Sequence, residues 1–190
     1  MRDPNSKNVK ALANEFPDQF IPVAMDVGDP DSVERGAAEI ARSTESLDVL
    51  INNAGTNTYD NEQQVEDISE ENIQKVFNVN TLGPLRVLKA LIPLLRNASD
   101  PKVVMISSTA GSIAGQGGGR VVPYCVSKAA LNMLTKLLYF HCKEDGAAIV
   151  ALHPGWVRTD MGGAGGELSV QESVSGMMSV IANLTMESPI

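Results

Sequence analysis

Four short apolar runs punctuate the chain, and longer segments of near-helical spacing lie between them. Residues 20–25 (FIPVAM), 47–52 (LDVLIN), 102–107 (KVVMIS) and 147–153 (AAIVALH) are almost continuously hydrophobic. Runs of this kind predict strands buried on both faces, as in a parallel sheet with helices above and below. Residues 31–43 predict a helix, with Asp31 or Ser32 as its N-cap. Residues 70–95 carry Ile73, Val76, Phe77, Asn80, Leu85, Leu88, Leu91 and Ile92, a helical pattern that Gly83-Pro84 should bend. Residues 126–143 carry Leu131, Leu134, Leu138 and Phe140 and predict another helix. This alternation of strand and helix predicts an α/β fold built on a parallel sheet, as one domain spanning residues 1–190.

Composition narrows the classes. Hydrophobic residues are 43% and charged residues 20% of the 190, which excludes wholesale disorder. Fifteen Lys and Arg against 23 Asp and Glu give a net charge of −8, which argues against a basic nucleic-acid face. The longest apolar stretch, 82–95, is broken by Arg86 and Lys89 and does not read as a membrane span. Residues 1–10 are polar and do not read as a signal peptide, so the expected location is the cytoplasm. Cys125 and Cys142 are expected to be reduced, and with His141 and His153 they form no zinc-ligand spacing.

Two glycine-rich segments, 111–120 and 161–166, follow the third and fourth apolar runs. Open α/β sheets bind ligands at that end of their strands. Neither segment completes a G-x-G-x-x-G fingerprint, because Arg120 and Leu168 stand where the last glycine is required. They read as flexible surface loops or as lids over a site.

The candidate chemistry clusters near these segments. Tyr124 and Lys128, four apart, fall on one helix face. A cation beside a phenol favours the phenolate, so such a tyrosine can exchange a proton near neutral pH. The plainer reading is a solvated lysine beside a half-buried tyrosine. Ser107-Ser108 ends an apolar run, where a hydroxyl can bond a substrate oxygen or merely satisfy loop backbone. Asn52-Asn53-Ala54-Gly55 ends another, as a close backbone approach or a plain turn.

Together these pieces resemble the short-chain dehydrogenases/reductases. Asn-Asn-Ala-Gly at 52–55, Asn-Val-Asn at 78–80, Ile-Ser-Ser-Thr-Ala-Gly at 106–111, Tyr-x-x-x-Lys at 124–128 and Pro-Gly at 154–155 occur in that family's order. The run HPGWVRTDMGG at 153–163 is similar, more narrowly, to the carbonyl reductases of C-factor and sniffer type. The resemblance implies a Rossmann-like, doubly wound parallel sheet and an oxidoreductase that transfers hydride between NADP and a carbonyl compound, NAD being the lesser choice. It implies Tyr124 as the general acid, Lys128 as the group that lowers its pKa and holds the nicotinamide ribose, and Ser108 as the group orienting the carbonyl. Asn80 would bend its helix and hold a water toward Lys128. Asp26 and Val27 would meet the adenine. Asn53, Ala54 and Gly55 would line the cofactor cleft, Val157 and Thr159 would meet the carboxamide end, and Arg2 would favour the 2′-phosphate of NADP. The family also implies a homodimer acting on a small carbonyl or alcohol substrate.

The pattern departs from the family in places. The glycine-rich Thr-Gly-x-x-x-Gly-x-Gly loop is not in the sequence, Arg2-Asp3-Pro4 resembles the end of the family's second strand, and residues 187–190 resemble a point before its last strand. The sequence therefore reads as lacking the first strand–helix unit and as an internal portion or a natural truncation of a longer reductase. Weak dinucleotide binding is the expectation, and a non-enzymatic dimerisation or regulatory protein is the alternative. Ser108 and Tyr124 are 16 apart, about three more than is usual in the family, with the extra length at 116–120.

Overall fold

The computed structural model describes residues 1–58, 64–119 and 121–188. Arg120, and with it the end of the expected 116–120 insertion, lies outside the described residues. Among the described residues three parallel strands form the sheet, in the order β1 (Val49–Asn52), β2 (Lys102–Ile106), β3 (Ala148–Leu152). Val49 pairs with Lys102, and Lys102 with Ala148. The sheet is wound on both faces. Helices α2 (Pro30–Ser43), α4 (Gly83–Leu95) and α5 (Val122–Glu144) pack on one, burying Val33, Leu88, Leu91 and Leu131 against Leu50, Val103, Met105 and Ile149. Helix α6 (Val170–Ala182) packs on the other, with Ile181 against Val104, Ile106, Ala148 and Val150. Alternate residues of β2 thus enter two different cores, which is why that strand reads as an unbroken apolar run.

Two expectations fail. Residues 20–25 form no strand. Their nearest backbone partner is Met1, whose carbonyl accepts from Met25 N–H and whose amine donates to the Val23 carbonyl. A strand requires a ladder as well as an apolar sequence. Nor is β1 buried on both faces: Val49 and Ile51 are 38% and 45% exposed. Helix α6 covers β2 and β3 on that side, and among the described residues nothing comparable covers β1.

Local chemistry explains the helix boundaries. Asp29 caps α2 by accepting from Asp31 N–H, one residue before Pro30. Ser69 caps α3 (Glu70–Phe77) in the same way, and Ser169 and Glu172 form a capping box on α6. The bend expected at Gly83-Pro84 is instead a π turn over Asn78–Leu82, joining α3 to α4. Helix α5 begins four residues earlier than its periodicity suggests, so Tyr124 lies in its first turn. Helices α1 (Lys7–Glu15) and α6 went unpredicted, α1 because it buries no residue at all.

Past β2 the chain makes a 3₁₀ turn, Thr109–Gly111, seated directly on α5. A Cβ on Gly111 would lie 2.6 Å from the Lys128 carbonyl carbon and 2.7 Å from its oxygen. Both are backbone atoms and neither can swing aside. Gly111→Ala should therefore lift the turn from the helix and lower stability by about 1–3 kcal/mol, read as a fall in the thermal midpoint.

Candidate active site

The C-terminal ends of the three strands open into a cleft of about 820 Å³. Its floor is Asn53, Ala54 and Gly55 after β1 and Ser107–Ala110 after β2. Tyr124 and Lys128 of α5 line it, with His153–Val157 and Thr159 after β3 and Val170, Val174 and Met177 of α6. Eight of the twelve residues singled out in the sequence meet here: Asn53, Ala54, Gly55, Ser108, Tyr124, Lys128, Val157 and Thr159.

The other four lie elsewhere. Arg2 is exposed near the chain's start. The Asp26 carboxylate accepts from Gly28 N–H, while its own N–H donates to the Ser32 hydroxyl. Val27 packs on Gly83 and gives its carbonyl to Arg86. Asn80 is fully buried behind the floor. Its Oδ1 accepts from Thr56 N–H at 2.8 Å, and its Nδ2 donates to the Thr56 carbonyl at 2.9 Å and to Ser127 Oγ at 3.0 Å. Ser127 in turn donates to the Tyr124 carbonyl. Both amide hydrogens are thus committed to tying the loop after β1 to α5.

Lys128 is the most constrained group in the cleft. It is 5% exposed, and its Nζ donates to the Ile106 carbonyl at 2.7 Å. The same Nζ stands 5.6 Å from the centre of the Tyr124 ring. Burial lowers its pKa from 10.5 to about 8, so it is still mostly protonated at neutral pH. None of the described residues lining the cleft is acidic, so the ammonium field is not cancelled there. His153, partly desolvated, is held below its ordinary pKa and is mainly neutral at pH 7.

The Ser108 hydroxyl accepts from Ala110 N–H at 3.1 Å and so caps the 3₁₀ turn. A hydroxyl has one proton, and here it remains available to donate. Gly155 has φ +83°, and Leu168 would lie 2.4 Å from a Cβ there, so this corner of the wall requires glycine. The cleft also suits a hydrogen-bonding guest: Asn57 lines it, and among the described residues its buried Oδ1 has no partner. The residues present therefore fit a polar, hydrogen-bonding ligand at this end of the sheet, with the Lys128 ammonium and the backbone at 53–55 facing it. Sequence reasoning missed Thr56, Ser127 and Asn132. They act through backbone carbonyls or through partners distant in sequence, and no motif spacing reports that.

The buried ammonium makes stability depend on pH. Between pH 8 and 10.5 the unfolded chain keeps the Lys128 proton that the folded chain has released, so the Lys128 contribution to stability rises through that window, by roughly 3 kcal/mol in all. Above pH 9 the buried Cys142 thiol, pushed up to about 11, acts in the opposite direction, because the unfolded chain loses that proton first. Urea unfolding of the wild type and of Lys128→Met at pH 7.5, 9 and 10 separates the two: the difference between the chains should grow with pH as the Lys128 contribution does.

Comparison with known proteins agrees with this architecture. Residues 1–167 match the family model described as short chain dehydrogenase. The C-signal protein of Myxococcus xanthus is 40% identical over 144 residues, which cover 76% of this chain and 86% of that one. A 1-hydroxy-2-glutathionyl-2-methyl-3-butene dehydrogenase of Rhodococcus sp. is 32% identical over 168 residues, 86% of this chain and 72% of that one. An NADPH-bound carbonyl reductase from chicken fatty liver superposes with a TM-score of 0.90 at 36% identity, over 98% of this chain and 79% of that one. Carbonyl reductase Sniffer of D. melanogaster also gives 0.90, at 29% identity, over 97% of this chain and 79% of that one. These relatives favour an enzyme over the non-enzymatic alternative. A doubly wound sheet with Tyr124, Lys128 and Ser108 on one cleft, and a family match over most of its length, make the chain a member of the short-chain dehydrogenase/reductase family of oxidoreductases.

Proposed function

We propose that the protein reduces the carbonyl group of a small molecule at the expense of NADPH, and oxidises the alcohol in reverse. The observation that carries this reading is the Lys128 ammonium, buried and 5.6 Å from the Tyr124 ring in a cleft that Ser108 also lines. NADPH, when bound, supplies the hydride. The Ser108 hydroxyl donates to the substrate oxygen and orients the carbonyl. Tyr124 delivers a proton to that oxygen as negative charge develops on it. Lys128 favours the phenolate that this transfer leaves, so that Tyr124 can give up its proton near neutral pH; solvent then returns the proton to the phenolate, and Lys128 also holds the nicotinamide ribose. Asn80 braces the floor beneath and holds a relay water. Asn53, Ala54 and Gly55 leave room for close backbone approach, and Val157 and Thr159 meet the carboxamide end. Asp26 and Val27 would meet the adenine. Exposed Arg2, together with the NADPH bound in the chicken relative, supports NADP over NAD.

Tyr124→Phe removes one oxygen and keeps the ring. Reduction of an aromatic aldehyde, followed as NADPH absorbance, should fall by about 10²–10⁴-fold with the thermal midpoint unchanged. A variant that keeps full rate would refute the reading. Trp156 lines the cleft and is the one tryptophan in the sequence, so its fluorescence should respond saturably to NADPH. A folded chain with no response would refute cofactor binding.

We propose further that the enzyme is a cytoplasmic homodimer. Val126, Met133, Leu137 and Phe140 form an apolar stripe along α5, each 42–61% exposed. They recur at intervals of seven, four and three, one helix face, which suits a second copy of the same helix. Leu137→Glu should convert the dimer to monomer in sedimentation velocity, and a wild-type chain that sediments as a monomer would overturn the assignment.

A further inference from the structure

Ser108 is held in place through its neighbours. Before it, Ser107 is 5% exposed, and its hydroxyl donates to Asn132 Oδ1 at 2.5 Å. After it, the Gly111 carbonyl accepts from Asn132 Nδ2 at 3.3 Å. One amide thus clasps both ends of the turn that presents Ser108. Asn132 follows Lys128 by four residues on α5, so the two side chains share a helix face. Lys128 holds the Ile106 carbonyl, and Asn132 holds the next residue. The turn also rests on the helix backbone at Gly111.

From this geometry we propose that Asn132 is a positioning residue for the reduction: it sets the direction of the Ser108 hydroxyl and touches neither substrate nor cofactor. The proposal rests on the carbonyl-reductase reading above. Ser108 Oγ already accepts from Ala110 N–H, so the path of the 107–111 turn decides where its one proton points. A turn released at both ends would let that proton wander, while Tyr124 and Lys128 stay where α5 puts them. The loss should therefore fall on kcat, with little change in the KM for NADPH.

A double-mutant cycle tests this. Asn132→Leu and Ser107→Ala should each lower kcat for aldehyde reduction about tenfold, and the pair together should be no worse than the poorer single variant. In a Ser108→Ala background, Asn132→Leu should change kcat less than twofold, because the group it positions is gone. A tenfold loss persisting in that background would overturn the proposal, since Asn132 would then act on the fold at large. Asn132→Asp keeps the acceptor for Ser107 and should recover part of the rate. If Asn132→Leu fails to fold, Ser107→Ala in the same two backgrounds carries the same test. Amide hydrogen exchange at 109–112 reads the clasp without turnover: Asn132→Leu should speed it at least tenfold, and unchanged exchange would overturn the clasp. A wild-type chain that reduces no carbonyl would defeat the reductase reading, and the exchange result would still decide the clasp.

Discussion

A lysine ammonium taken out of water must find a fixed acceptor, and at Lys128 that acceptor is the carbonyl of the last residue of β2. This one bond sets the distance between the central strand and α5, and much else follows from it. The 3₁₀ turn after β2 can touch the helix backbone only because its third residue is glycine. Tyr124, one turn before Lys128, is carried to the cleft by the same helix. The arrangement is costly to the fold, because burial disfavours the charged amine. It fits a site in which that charge has a task.

The opposite wall is organised by a buried amide. Asn80 holds the backbone of Thr56 by both its N–H and its carbonyl, imitating a strand neighbour where the sheet has ended. Through Ser127 it reaches the first turn of α5. Loop and helix are thereby fixed to each other. Two side chains thus align two loops against one helix, Asn80 from below the floor and Asn132 from the far side of Ser108.

Much of this was legible in the sequence. The apolar runs at 47–52, 102–107 and 147–153 became β1, β2 and β3, because a buried parallel strand has no polar face to obscure it. The spacing of Tyr124 and Lys128 survived intact, because helix periodicity is local. Residues 20–25 misled because hydrophobicity reports burial and says nothing of a hydrogen-bonded neighbour. Helix α1 left no signal because it contributes nothing to either core. The contacts of Asn80 and Asn132 span 21 to 47 residues, and nothing short of the folded chain brings such partners into view.

The π turn at Asn78–Leu82 has a consequence for the length of the chain. A π turn holds one residue more than the α turn it replaces, and one residue of α-helix is a rotation of about 100°. Helix α3 faces α5, while α4 faces α2 and the sheet. The extra residue is what allows one nearly continuous helix to serve both partners. Deleting any single residue between 78 and 82 would turn α3 away from α5 and carry Asn80 off Thr56. The spacing between α3 and α4 is therefore a count the chain must keep, even though nothing in that segment meets the substrate.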